Sequence, residues 1–486
     1  MRKKKILLIN PRIMDAPAHP LGLLYIAASL EKAGFEVKVV DSEFIDEIVN
    51  EYTKFNPHIV GITSTTPQIN KAFKIAKTLW NISGVPIIFG GVHTTAVPKE
   101  VLKKEFVDCV VIGEGERTFV ELCRTKDISK INGIGYKVGN KMKFTKPRKL
   151  IAKLDNIPFP ARHLLPSRWY FAPPRIRGIW TKSTATVMAT RGCPYNCIYC
   201  SSHLIFGRKV RYRSVKNVIE ELKGLREKFK IDSVWFSDDT FTVNHEWVKE
   251  FCRKLKNQKW KNFKWACQAR VNTVNYELLK TMKNAGCIQI DFGVESGSMK
   301  VLKILKKEIT PSQIVKTFDN IRSLGINSCA TFILGTPGEM VEDLQCTERC
   351  VRRIKSGYTD FFFATPFPGT ELYNNVSKFN LFKREELYNK CIATKHTDKP
   401  FMAIDLTKEE LVKWRTKLCN LVFFRNYYNY IKDPRFILGG ISIIFRGRKG
   451  IFKGFGRFFR TRKIDSIFVE ILKEYRRKTK NELQFL

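Results

Sequence analysis

A chain of 486 residues, 44% of them apolar, has room for two to four domains with sizeable cores. Its 13 cysteines form no framework pattern, which excludes a secreted disulfide scaffold and fits a reducing, cytoplasmic setting. The excess of 86 Lys+Arg over 46 Asp+Glu, a formal net charge of +40, favours an anionic partner: nucleic acid, a membrane surface or an acidic substrate.

The first 145 residues alternate short apolar runs with amphipathic ones. Strands are expected at 5–10, 36–41, 59–64, 86–91 and 108–113, with helices over 21–33, 68–81 and 97–105. The basic start of the first strand is too short for a signal peptide, since Pro11 ends the apolar run after a strand's length. Strand–helix alternation predicts a doubly wound, Rossmann-like parallel sheet, which binds ligands at the carboxyl ends of its strands. Those ends carry the unusual residues: Ser64-Thr65-Thr66, Gly90-Gly91-Val92-His93-Thr94 and Gly113-Glu114-Gly115-Glu116. Glycines let a backbone approach a ligand closely, and hydroxyls beside free amides hold phosphates or amide side arms. For His93 a ligand contact and a loop-packing role are equally open.

Residues 146–182 form a basic, proline-rich linker. The apolar run 186–189 then leads into Arg191-Gly192-Cys193-Pro194-Tyr195-Asn196-Cys197-Ile198-Tyr199-Cys200. Turn formers among the three cysteines place them on a loop that can wrap a metal centre. Four thiolates complete a 4Fe–4S cluster, so three leave one iron open, as a catalytic centre requires. Zinc is the alternative, but it takes four ligands in paired spacings, and His203 is the only nearby candidate for a fourth. Tyr199 adds an aromatic face beside the metal.

The Cys-x3-Cys-x2-Cys spacing with its aromatic resembles the signature of radical S-adenosylmethionine (radical SAM) enzymes. Leu21-Gly22-Leu23-Leu24-Tyr25-Ile26-Ala27-Ala28 and Gly113-Glu114-Gly115-Glu116 resemble the branch of methylases and anaerobic oxidative cyclases that carries a cobalamin-binding domain in front. The resemblance spans residues 1 to 375. Val92 and Thr94 stand where that branch more often has Pro and Ala. The Asp-x-His-x-x-Gly motif, which gives cobalt a histidine in many cobalamin proteins, does not occur. The resemblance therefore implies cobalamin without that lower ligand. It further implies a 4Fe–4S cluster on Cys193, Cys197 and Cys200, whose open iron chelates S-adenosylmethionine. Reductive cleavage to a 5′-deoxyadenosyl radical follows, and that radical removes hydrogen from an unactivated carbon of a small molecule. The carbon then takes a methyl group from methylcobalamin, and a second S-adenosylmethionine remethylates the cobalt, leaving S-adenosylhomocysteine. A low-potential electron donor such as ferredoxin or flavodoxin completes the set.

About six strand–helix units follow the loop, with strands expected at 185–190, 233–237, 263–269, 289–293, 328–334 and 360–365. That count is the partial (β/α)6 barrel of the superfamily, with its active site at the strands' carboxyl ends. Asp238 and Asp239 there suit the α-amino group of S-adenosylmethionine. Gln268 and Arg270 suit its carboxylate, which a guanidinium fork matches. Glu295 and Ser296 suit ribose hydroxyls, and Gly335 and Gly338 admit the adenine edge. Taken singly, the acidic ends also read as helix N-caps and Arg270 as a surface ion pair.

The pattern stops near residue 376. A helix is expected over 406–425, with Thr407 as N-cap and Glu409 and Glu410 in its first turn. Beyond Pro434, Phe445, Phe452, Phe455, Phe458 and Phe459 are interleaved with Arg446, Arg448, Lys449, Lys453, Arg457 and Arg460. Such a mixture suits an anionic membrane, at the inner face of the cell membrane, ahead of RNA; a basic tail with no partner is the alternative. The domain plan is thus 1–145, 146–182, 183–375 and a mainly helical 376–486. The function expected is radical C-methylation of a small molecule, with lipids and isoprenoids among the candidates. Cyclisation or carbon–carbon coupling is the runner-up, and tRNA modification comes third.

Overall fold

The computed structural model describes residues 3–13, 20–166, 176, 179, 181–377, 388 and 400–431. The tail from 432 on therefore lies outside the described residues. Two compact units emerge, and they do not follow the linear order of the chain. One comprises Met1–Tyr170, Thr190–Ser214 and Pro366–Ile392; the other comprises Phe171–Ala189, Val215–Thr365 and Ala393–Leu486.

In the first unit, β1 (Lys5–Pro11), β2 (Glu36–Ser42), β3 (Ile59–Thr63), β4 (Ile87–Gly90) and β5 (Cys109–Val111) pair in parallel in the order β2-β1-β3-β4-β5. Continuous apolar runs such as Ile6-Leu7-Leu8-Ile9 are fully buried, as in a sheet covered on both faces. Gly61 in β3 is required by that packing, because a Cβ there would lie 2.7 Å from the Phe119 ring. The strand order reverses between β1 and β3, where ligands of such sheets bind. A polar row marks that edge: Asn10 Nδ2 donates to Asp41 Oδ1 (2.8 Å), and Gln68 Nε2 donates to Asn10 Oδ1 (3.1 Å).

Two features depart from the expected pattern. An antiparallel hairpin, β6 (Ile134–Val138) and β7 (Lys141–Phe144), extends the sheet beyond β5. All four residues of β7 are exposed, so it shows no apolar alternation, and its lysines guard a sheet edge. The helix expected over 97–105 is instead two short helices, Val92–Ala96 and Pro98–Leu102. Pro98 has no N–H with which to continue the first.

The second unit is a six-stranded, all-parallel sheet in sequential order: β8 (Thr184–Val187), β9 (Ser233–Phe236), β10 (Lys264–Ala269), β11 (Cys287–Glu295), β12 (Asn327–Leu334) and β13 (Tyr358–Phe363). Phe236, Phe241, Phe251 and Trp265 pack edge-to-face and tilted on one side of it. An incomplete barrel leaves an open edge at β13, which the helix Lys408–Ile431 covers. Asn426 imitates a further strand there, accepting from Thr359 N (2.7 Å) and donating to Thr359 O (2.8 Å). Arg415, 2% exposed, donates to Phe361 O (3.0 Å) and lies over the Phe363 ring. Thr407 starts this helix through a reciprocal cap with Glu410. Among the described residues no helix is long and apolar enough to cross a membrane.

Trp265 is fully buried, and its Nε1–H donates to Ala285 O (2.9 Å). Trp265→Ala should therefore destabilise the barrel unit by about 3–5 kcal/mol, read as a lowered urea midpoint. A loss below about 1 kcal/mol would contradict this account of the core.

Candidate active site: the cysteine loop and the strand ends

The cysteine loop is closed at its base by Thr190–Arg191 pairing antiparallel with Arg211–Tyr212. Gly192 turns the chain at φ +95°, and a Cβ there would lie 2.5 Å from Lys209 O, so only glycine fits. Cys200 N donates to Cys197 O (3.2 Å), winding the last two cysteines into one turn. Cys197 is buried, Cys193, Tyr199 and Cys200 are half-buried, and none of the three cysteines is in a disulfide. Among the described residues no three His, Cys, Asp or Glu side chains converge on one point, as a single zinc ion demands. The thiolates of a 4Fe–4S cluster bind separate irons and need not converge. His203 is occupied otherwise, its Nδ1–H donating to Cys200 O (3.1 Å). Burial, and then Arg208, hold its pKa below the ordinary value. Three cysteines outside any disulfide, on a turn that tolerates no side chain at Gly192, fit a cluster with one open iron.

Both flanks of the loop are held by the Gly-Glu-Gly-Glu segment. Arg191 donates to Glu114 Oε1 (2.8 Å) and Glu116 Oε1 (2.6 Å), and it lies against the Tyr25 and Phe206 rings. Arg211 donates to both oxygens of Glu114 (2.9 Å each), to Ile151 O (2.7 Å) and to Phe206 O (3.0 Å). All four charged side chains are buried. Burial alone would lower the Arg191 pKa; Glu116 and Glu114 more than offset it and hold it above the ordinary value. Sequence reasoning set Glu114 and Glu116 against a cofactor, whereas their carboxylates face arginines. The missed members are Arg191 and Arg211, and their signal was a pair of carboxylates in the loop that leads into an otherwise apolar helix face. Gly113 supplies φ +84°, and Gly115 leaves room for Ile26, whose Cδ1 would lie 2.8 Å from an added Cβ.

The ends of β3 and β4 meet in a second polar group. His93 N donates to Ser64 O (3.2 Å), His93 Nδ1 bonds Thr66 Oγ1 (3.1 Å), and Ser64 and Thr94 hydroxyls lie 3.4 Å apart. Thr65 and Gln68 cap the short turn that carries Thr66. Gly91 must be glycine, since a Cβ would lie 2.6 Å from Ser64 O, and Gly90 precedes it at the strand end. His93 is 1% exposed, and burial lowers its pKa to about 4, so the ring is neutral at pH 7. The Tyr388 ring meets it edge-on at 4.8 Å, and its Nε2 has no hydrogen-bond partner among the described residues. An orphaned imidazole nitrogen among hydroxyls, at the end where such sheets bind ligands, fits the polar side arms of cobalamin.

At the barrel's strand ends the expected residues separate into two groups. Asp239 and Gln268 are exposed. The others face inward. Asp238 accepts from Ala189 N through both oxygens (3.0 and 3.3 Å). Ser296 Oγ bonds Thr347 Oγ1 (3.1 Å). Arg270 donates to Lys307 O and to Asn272 Oδ1 (3.2 Å), while Lys307 Nζ pairs with Glu295 Oε1 (2.8 Å) in a buried contact. Glu295 has φ +68°, a strained conformation for a side chain of that size, where β11 shifts register against β12. Gly335 and Gly338 turn at φ +80° and +84°; Gly335 N donates to Glu339 Oε2 (2.6 Å) and Gly338 N to Asp405 Oδ2 (2.5 Å). Glu339, pushed up to about 7 by burial, and Lys307 are members of these ends that sequence reasoning passed over.

A three-thiol loop on a doubly wound sheet, with a six-stranded parallel barrel in the same chain, defines an iron–sulfur enzyme of the SAM-cleaving type. Residues 187–350 match the family model of the radical SAM superfamily, and residues 14–123 that of the B12 binding domain. The chain is 36% identical over 398 residues to an uncharacterized methyltransferase of Pyrococcus horikoshii, a match covering 78% of this chain and 85% of that one. Cytidylyl-2-hydroxyethylphosphonate methyltransferase of Streptomyces wedmorensis is 28% identical over 452 residues, covering 79% and 84%. Anaerobic magnesium-protoporphyrin IX monomethyl ester cyclase of Rubrivivax gelatinosus is 27% identical over 413 residues, covering 79% and 72%. Two solved structures share the fold. The radical SAM methyltransferase TsrM from Kitasatospora setae, with cobalamin and a 4Fe–4S cluster bound, has a TM-score of 0.65 at 18% identity over 78% of this chain and 75% of that one. The cobalamin-dependent radical SAM enzyme OxsB has a TM-score of 0.68 at 17% identity, over 92% and 71%. The chain belongs to the radical SAM superfamily, in the branch that carries an N-terminal B12-binding domain.

The low pKa of His93 has a measurable sign. The unfolded chain protonates this residue near 6.5, the folded one only near 4, so stability falls as pH drops through that window. The loss attributable to His93 is about 2 kcal/mol between pH 7 and pH 5. His93→Gln should lose that much less than the parent over the same interval in urea titrations; equal losses would contradict a buried neutral ring.

Proposed function

We propose that this protein is a cobalamin-dependent radical SAM methylase acting on an unactivated carbon of a small molecule. The observation that carries the reading is the joint presence, in one compact unit, of the three-thiol loop and the polar carboxyl edge of the B12-binding sheet. When bound, the cluster supplies the electron that cleaves S-adenosylmethionine, and cobalamin supplies the methyl group. The chain's own part is positional. Cys193, Cys197 and Cys200 hold the cluster and leave one iron to the substrate. Ser64, Thr65, Thr66, Thr94 and neutral His93 hold the corrinoid's polar arms, with Gly90 and Gly91 allowing close approach. Asp239 and Gln268, exposed at their strand ends, and Arg270 take the methionine end of S-adenosylmethionine.

Methylation is favoured over the second reading, ring closure, because the relative at 36% identity and that at 28% both bear methyltransferase names. Ring closure is supported by the likeness to the protoporphyrin ester cyclase. The electron donor is a ferredoxin or flavodoxin, which the low potential of such clusters demands.

The substrate class we favour is lipid or isoprenoid, met at an anionic membrane surface. Residues 432–486 hold 15 Lys+Arg against five Asp+Glu together with eight Phe, a composition suited to anionic headgroups. Phe424 and Tyr428, one helical turn apart in the helix before that segment, are 76% and 52% exposed.

Replacing any one of Cys193, Cys197 or Cys200 by Ala should abolish formation of 5′-deoxyadenosine from S-adenosylmethionine; a variant retaining full turnover sinks the cluster assignment. Deleting residues 435–486 should release the protein from phosphatidylserine-containing vesicles in sedimentation assays. Undiminished co-sedimentation would reject the membrane reading.

A further inference from the structure

We propose that Glu114 and Glu116 are positioning residues of the iron–sulfur loop, not ligands of the corrinoid, and that the charge of Glu116 lowers the reduction potential of the centre on Cys193, Cys197 and Cys200. The inference rests on the cluster assignment above. A carboxylate offers about four acceptor sites. Glu114 uses them on Arg191 Nη1 (2.8 Å), on Arg211 Nη1 through each oxygen (2.9 Å each) and on Ile151 N (2.7 Å), so none remains for a ligand. The recipients are the two arginines paired opposite one another at the base of the loop. Through Arg211 the same carboxylate reaches Phe206 O, at the end of the short helix His203–Phe206 on the loop's return side. One side chain thus fixes the entry, the exit and the return helix of the loop.

Glu116 has the complementary role. Its Oε1 takes Arg191 Nη2 (2.6 Å), while its Oε2 is buried without a hydrogen-bond partner among the described residues. Glu114 and Glu116 together carry two negative charges against the two positive charges of Arg191 and Arg211. All four are shielded from solvent, where salt screens little and charge acts over distance. Arg191 precedes Cys193 by two residues. Without the Glu116 charge, the net +1 left at the base of the loop would favour the reduced cluster.

Glu116→Gln isolates that charge. The amide keeps an oxygen for Arg191 and places its NH2 where Oε2 has no partner, so the packing is retained. We expect the anaerobically reconstituted holoenzyme to keep its iron and sulfide content and its affinity for hydroxocobalamin. Its reduction equilibrium should shift about tenfold toward the reduced cluster, about 59 mV upward for one electron. An unchanged midpoint potential would overturn the proposal. So would a tenfold loss of cobalamin affinity at unchanged potential, which would make Glu116 a corrinoid contact. Glu114→Asp tests the positioning role separately. Withdrawing the carboxylate by one methylene should alter the reduced cluster's electron paramagnetic resonance signal and leave cobalamin affinity intact; an unaltered signal argues against it. Failure of the underlying reading looks different, because the parent protein itself would then bind no iron.

Discussion

Four charged side chains withdrawn from water, Glu114, Glu116, Arg191 and Arg211, fasten the cysteine loop to the N-terminal sheet. Each buried charge costs several kcal/mol to desolvate, and the cost is tolerable only because every one meets an opposite charge at hydrogen-bond distance. Their effect on architecture is direct. Thr190–Ser214 lies in sequence between the first two barrel strands yet packs with the sheet that precedes the barrel. Glycines complete the constraint: Gly192 lets the loop turn against Lys209 O, and Gly115 lets the helix Gly115–Arg124 approach Ile26.

The two sets of strand ends use their polar residues differently. At the B12-binding sheet, Ser64, Thr66, His93 and Thr94 bond one another and leave one imidazole nitrogen without a partner. A neutral His93 is what burial dictates, and it can donate or accept a hydrogen bond without bringing charge to the site. At the barrel, Arg270, Lys307 and Glu295 form a buried relay that ties the end of β10 to the end of β11. That relay accompanies the strained backbone of Glu295. Asp238 fixes Ala189, the last barrel residue before the loop leaves for the other unit.

Most of the strands were legible because parallel strands buried on both faces leave unbroken apolar runs, such as Ile6 to Ile9. The cysteine loop was legible because its pattern is local: three cysteines and the turn residues between them lie within eight positions. What escaped was either solvent-facing or non-local. β7 is exposed along its whole length, and the break at Pro98 was hidden inside an amphipathic pattern. The direction in which Glu114, Asp238 or Ser296 points depends on residues tens of positions away. Polar residues at a strand end announce that the position is special without saying whether they face a ligand or the protein itself.

The most direct test of the central claim is anaerobic. Reconstituted protein with cobalamin, a reductant, S-adenosylmethionine and a membrane-lipid extract would be assayed for 5′-deoxyadenosine and S-adenosylhomocysteine together. The account predicts that both form in comparable amounts and only when the extract is present. Extract-dependent 5′-deoxyadenosine without S-adenosylhomocysteine would contradict methylation and leave ring closure or carbon–carbon coupling as the reaction.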